Sequence, residues 1–210
     1  MAGQRLRARA RRAADAGKRG VEAVGCEVLP PAGERMVAPF EAEHAVAMGK
    51  RARDLVQSFD ALEGGERFVT RGRTITESDI VQFAGLTGDM HPQHTDAAWA
   101  AESRFGERIA HGMLVMSYAI GLVPLDPERV VALRRVSDVV FKHPVYIGDT
   151  IHVDGRIESL KPVDPSHGLV EALWKVVTQR GRTVARARVE MVWRRSPVTA
   201  ELGSELVMPL

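Results

Sequence analysis

A carboxylate and an imidazole stand five residues apart in Thr87-Gly88-Asp89-Met90-His91-Pro92-Gln93-His94. Gly88 bounds this stretch and Pro92 stiffens it, so it reads as a short loop. Seventeen residues beyond His94 comes His111-Gly112-Met113-Leu114, where a glycine opens a run of apolar residues. Asp89 and His94 suit proton transfer. With coupled titration such a pair holds a single proton and a single charge near neutral pH. Gly112 suits a different task. The first turn of a helix has free N–H groups and the positive end of the helix dipole, and glycine admits a ligand without a Cβ in the way. Together these residues supply what is needed to move a proton and a water beside a carbonyl while charge develops on its oxygen. His111 reads as a structural residue, hydrogen-bonded to backbone.

The same side chains offer metal chemistry, since His and Asp are good ligands. The spacing of Asp89, His91, His94 and His111 matches no zinc signature, and Pro92 argues against a helical His91/His94 pair. No metal is expected. The single cysteine, Cys26, excludes an internal disulfide framework and a Cys-built metal site, and it fits a cytoplasmic setting. No Gly-rich nucleotide loop is present, and no tightly bound cofactor is expected.

The elements that must position these residues follow from periodicity and turn signals. Residues 68–73 read as a short strand. Thr76-Glu77-Ser78-Asp79 resembles a capping box ahead of Ile80, Phe83 and Ala84, so a helix is predicted to about Leu86, with Gly88 ending it. Another short helix is predicted from Thr95 or Asp96 through Trp99. Residues 112–123 are apolar nearly all round, which calls for wrapping by other elements, and Pro124 and Pro127 stop the helix. Residues 130–142, 149–160, 169–179 and 182–194 read as strands. Ile151, Val153, Gly155 and Ile157 alternate with His152, Asp154, Arg156 and Glu158, and Arg180-Gly181 signals a hairpin. A buried helix followed by antiparallel strands predicts an α+β layout with a sheet curled around the helix.

Gly88-Asp89-x-x-Pro92-x-His94 and His111-Gly112-Met113-Leu114 resemble the signature of the MaoC-like, (R)-specific enoyl-thioester hydratases and dehydratases. Phe141-Lys142-x-Pro144-Val145-x-x-Gly148-Asp149 is similar to the next landmark of that family. The resemblance covers about residues 66–194. It implies a single hot-dog fold and an Asp89/His94 pair acting on one face of the substrate, with the oxyanion-binding N–H at Gly112. The reaction implied is hydration of 2-enoyl thioesters, or the reverse dehydration of 3-hydroxyacyl thioesters. It further implies a coenzyme A or acyl-carrier-protein substrate and at least a homodimer. The phosphates of such a carrier would meet basic groups such as Arg104 and Lys142, with Arg108, Arg134 and Arg135 as further candidates. Met113, Met116, Tyr118, Phe83 and Trp99 are candidates to line an acyl tunnel. His91 stands where the family commonly has Asn. A histidine there still donates and accepts but titrates near pH ~6.5, so catalysis with an altered pH dependence is expected. A hot-dog acyl thioesterase and a non-catalytic hot-dog subunit of a complex are the competing readings.

Length and composition set the outer bounds. A chain of 210 residues with 45% hydrophobic and 27% charged residues is an ordinary globule with room for one sizeable core. A net charge of +2 is too small to argue for nucleic acid. No run approaches the roughly eighteen apolar residues of a membrane span. Residues 1–65 read as a basic extension carrying a helix over about 40–62, residues 66–195 as the hot-dog domain, and 196–210 as a tail. Arg5, Arg7, Arg9, Arg11, Arg12, Lys18 and Arg19 face Asp15 alone in the basic arm, which lacks the apolar core of a secretory signal.

Overall fold

Alternation of buried and exposed side chains along three long strands decides where the core lies. The computed structural model describes residues 55–196. The order is β1 (Arg67–Val69), β2 (Arg73–Thr74), α1 (Glu77–Thr87), α2 (Pro92–Thr95), α3 (Ala97–Glu102), α4 (Gly112–Leu122), β3 (Val130–Phe141), β4 (Thr150–Pro162), β5 (His167–Thr178) and β6 (Thr183–Arg194). The sheet is antiparallel in the order β1-β4-β5-β6-β3, with β2 also on β4. Ile151, Val153 and Ile157, Val170, Trp174 and Val176, and Ala187, Val189, Met191 and Trp193 point to one face and are buried. Period-2 patterning alone puts them there. The strand expected over 68–73 is split into β1 and β2. Between them, Thr70 exchanges backbone hydrogen bonding with β4, donating to the Val153 carbonyl, while its hydroxyl accepts from the Val153 N–H at 2.9 Å.

Helix α4 lies against β4, β5 and β6. Leu114, Val115, Met116, Ala119 and Leu122 enter the core. The expected wrapping is one-sided: Met113, Ser117 and Gly121, at steps of four, stay exposed. The small side chains of Ser117 and Gly121 leave that stripe open away from the sheet. Strand β3 differs from its neighbours in the same way, with Val131, Leu133, Val136, Val140 and Phe141 exposed.

Helix α1 begins with a complete capping box. The Thr76 hydroxyl accepts from the Asp79 N–H (3.3 Å), and the Asp79 carboxylate accepts from the Thr76 N–H (2.7 Å). Asp79 also accepts from the Tyr118 hydroxyl on α4 (2.5 Å) and from Arg73 on β2 (2.9 Å), whose guanidinium lies over the Tyr118 ring at 3.9 Å. Burial pushes the Asp79 carboxyl up, but the hydrogen bonds from Tyr118, Thr76 and Arg73 outweigh it and hold it at about 2. The cap therefore locks α1 to the helix that carries Gly112.

The helix expected over about 40–62 is not continuous through its described end. Residues 40–54 lie outside the described residues, as do 1–39 and 197–210. Phe59–Ala61 forms one 3-10 turn, because Ser58 before it and Leu62 after it take extended backbone. Leu55, Phe59 and Leu62 still join the core, and the Trp193 indole donates to the Gln57 carbonyl at 2.8 Å.

Candidate active site

The site is built from the C-terminus of α1, the turn α2 and the N-terminus of α4. Gly88 ends α1 with φ 77°, the left-handed conformation that glycine adopts without strain. The chain then doubles back through Asp89. Residues expected as an open loop contain a helical turn, Pro92–Thr95, with His91 as its N-cap and Pro92 at its first position. Proline suits that position because its fixed φ is helical and its missing N–H has no partner to lose. The His91 Nδ1 accepts from the Gln93 N–H (3.2 Å). This turn swings His94 inward, to 4% exposure, while Asp89 stays at the surface.

His94 has a defined tautomer. Its Nδ1 lies 2.7 Å from the Ile109 carbonyl, which only accepts, so Nδ1 carries the proton. Nε2 is left as an acceptor, and the Gln93 amide donates to it at 2.9 Å. Burial holds the His94 imidazole below its usual range, against the pull of the Ile109 carbonyl; His111 lowers it further, Asp89 raises it and His91 lowers it. His94 is thus a neutral base whose acceptor lone pair lies at Nε2. The His111 ring stacks on His94, with centroids 3.8 Å apart at 25°. Its Nε2 donates to the Asp89 carbonyl oxygen at 3.0 Å. Polar atoms of Asp89, His94 and His111 lie within 4.8 Å of one another. The trio is a poor cation cage. Stacked rings send their in-plane lone pairs side by side rather than to one point, and one nitrogen of each ring is committed to a carbonyl.

Helix α4 opens with His111 as N-cap and no side-chain cap, leaving its first N–H groups for a ligand. The structure gives a second reason for glycine at 112. A Cβ there would meet the Phe141 ring at 2.8–2.9 Å, so the missing side chain makes room for that ring. Phe141, at the end of β3, is 48% exposed and walls the helix N-terminus.

The other expected site residues divide. Met113, next to Gly112, is 57% exposed. Lys142 is exposed beside Phe141. Arg104 lies with its guanidinium 5.3 Å from the Phe105 ring. Arg108 pairs with Glu77 at 2.6 Å, and Arg134 and Arg135 pair with Glu190 on the sheet, so these three are committed elsewhere. His91 does not turn to the Asp89 carboxylate. Its ring meets Trp99 edge-on at 5.6 Å and stands 6.3 Å from the His94 ring; only its backbone N–H reaches Asp89 (3.3 Å). Met116 is buried in the core and Tyr118 is held by Asp79, while Phe83 lies 5.1 Å from the His111 ring. Gln93, Phe141 and the stacking of His111 were not legible as site features. Gln93 carried only its adjacency to His94 as a signal.

The sequence pattern of the MaoC like domain matches residues 60–187. The (R)-specific enoyl-CoA hydratase of Rhodospirillum rubrum is 34% identical over 112 residues, covering 53% of this chain and 77% of that protein. Protein MaoC of Klebsiella aerogenes is 44% identical over 96 residues; the match spans 45% of this chain but only 29% of that longer protein. The solved structure of the monoamine oxidase regulatory protein from Archaeoglobus fulgius superposes with a TM-score of 0.64 at 36% identity, over 71% of this chain and 99% of that one. A double hot-dog protein of Mycobacterium tuberculosis superposes at 0.61 over 68% of this chain and 45% of its own, at 23% identity, which shows the fold. The α+β sheet with α4 against it is a hot-dog fold, and the Asp89/His94 pair lies within the matched region. On these grounds the chain belongs to the MaoC-like domain family.

Proposed function

We propose that the chain is an (R)-specific hydratase of 2-enoyl thioesters carried on coenzyme A or an acyl-carrier protein, or the reverse 3-hydroxyacyl-thioester dehydratase. One observation carries this: a neutral, buried His94 and the Asp89 carboxylate, whose polar atoms lie within 4.8 Å, sit beside the uncapped N-terminus of α4. That spacing leaves room for a water between them. In hydration, His94 Nε2 takes a proton from water as its oxygen bonds to C3. Asp89 orients the water and offsets the imidazolium charge. Electrons move onto the thioester oxygen, which accepts from the Gly112 N–H; losing one such donor typically costs about 2.7–4 kcal/mol of barrier. The imidazolium then returns the proton to C2. Gln93, which occupies Nε2 at rest, must yield that position to water.

Delivery and attack from one side make the addition syn, and the (R) configuration at C3 is carried over from the relatives named for that specificity. Arg104, Lys142 and Met113 are assigned to the carrier and acyl group, and His91 to support of the catalytic turn. A homodimer belongs to the same reading. Supporting it are the exposed apolar row on β3, which pairs with β6 on one side only, and the open stripe on α4. Edges of this kind are normally covered. Among the described residues no helix is long and apolar enough to cross a membrane, and a cytoplasmic setting is part of the proposal.

The full chain, given 2-enoyl-CoA substrates of graded length, should bleach the conjugated thioester absorbance without releasing thiol and yield (R)-3-hydroxyacyl product. Release of free thiol would make it a thioesterase. No turnover on any acyl thioester would favour a non-catalytic subunit. Repeating the panel on carrier-protein thioesters decides the carrier.

A further inference from the structure

We propose that His111 is a positioning residue that joins the acid/base pair to the oxyanion donor. The inference rests on the hydratase reading for its kinetic part only. Three contacts meet at this one residue. Its Nε2–H holds the carbonyl of Asp89 at 3.0 Å. Its ring stacks on His94 at 3.8 Å. Its peptide leads directly into Gly112, as the N-cap of α4. A shift of His111 therefore moves the carboxylate, the imidazole and the backbone donor together, and misplacement by about 1 Å can cost ~100-fold in rate.

Burial fixes the ring in this place. His111 is 2% exposed. Its Nδ1 is buried with no hydrogen-bond partner among the described residues, so the Nε2 bond to the Asp89 carbonyl is the ring's one polar anchor there. The titratable groups facing His94 are Asp89 from the α1–α2 connection, His91 from the cap of α2, and His111 from the cap of α4. Of these, His111 alone stacks on it face to face.

Two variants separate the roles. His111→Phe keeps a ring over His94 but removes the donor. His111→Gln keeps a donor for the Asp89 carbonyl without the ring. In the full-length protein, the NMR amide resonances of Met90 and of Gly112 should both shift in His111→Phe, and His111→Gln should return that of Met90 toward its wild-type position. The enoyl-thioester kcat should fall about 10–100-fold in His111→Phe with KM little changed, and His111→Gln should recover part of it. Unmoved Met90 and Gly112 amides in folded His111→Phe overturn the inference, as does wild-type kcat in that variant. Should the wild-type chain turn over no thioester, the hydratase reading fails while the amide resonances still decide this one.

Discussion

At the scale of single residues, the Asp89/His94 pair should behave as one unit. Asp89→Asn and His94→Ala should each remove most of the turnover on enoyl thioesters without unfolding the chain, and the double variant should be little worse than either; losses that simply multiply would refute a shared role. Because burial holds His94 below the ordinary imidazole value of about 6.5, the acid limb of the rate profile should lie below that value. The neutral base is present above the depressed pKa and is lost as pH falls through it. His91 carries a different expectation. Its Nδ1 caps α2, so His91→Asn should keep both cap and activity, while His91→Leu should lower stability by about 0.5–2 kcal/mol, read by denaturant melts. Asp89, His94 and Gly112 were legible in the sequence because residue type, Gly88 and Pro92 constrain so short a stretch. The partners that tune them were not. Phe141 reaches Gly112 only because β3 returns to the helix N-terminus, and His111 finds His94 only because α2 turns inward at His91.

At the scale of elements, two contacts tie the site to the rest of the fold. The contact of α4 with β3 rests on Phe141 filling the space over Gly112. Gly112→Ala should therefore lower the melting temperature, and Phe141→Ala in the same chain should restore part of that loss, with a coupling of about 0.5–3 kcal/mol. Additive melts would mean that the ring yields freely. The contact of α1 with α4 runs through Tyr118 and Asp79. Tyr118→Phe removes a bond to a charged group and should cost about 1.5–3 kcal/mol at neutral pH. Asp79 is depressed to about 2, so this contribution is present above the unfolded carboxyl value of about 3.9 and fades as pH falls toward 2. Denaturation midpoints for both proteins across that window would test it. The capping box was readable from Thr76 and Asp79, since helix starts are written locally. The interruption at Ser58 was not: the steps of Leu55, Phe59 and Leu62 fit a helix, yet tertiary burial holds them in place without one.

At the scale of the whole molecule, the apolar row on β3 and the open stripe on α4 predict association. Light scattering of the wild-type chain at micromolar concentration should give at least a dimer. Leu133→Glu and Val136→Lys on β3 should shift it toward monomer with the fold retained. A wild-type monomer would remove the argument. The four long strands were legible to within about two residues at each end, whereas the exposure of β3 was not, because an apolar strand reads the same whether its cover comes from its own chain or from another. The pairing order has a kinetic consequence. Strands β4, β5 and β6 follow one another in both sequence and sheet, so their ladder closes through short hairpins. Strand β3 precedes them all yet pairs with the last, a closure that must wait for the others. Its amides should exchange with solvent earlier than those of β4 and β5, with its three register shifts as the first openings. An opening at the shift between Ser137 and Val140, next to Phe141, would lift that ring from Gly112 while Asp89, His94 and His111 stay assembled, so the wall of the site would breathe on a clock separate from its acid and base.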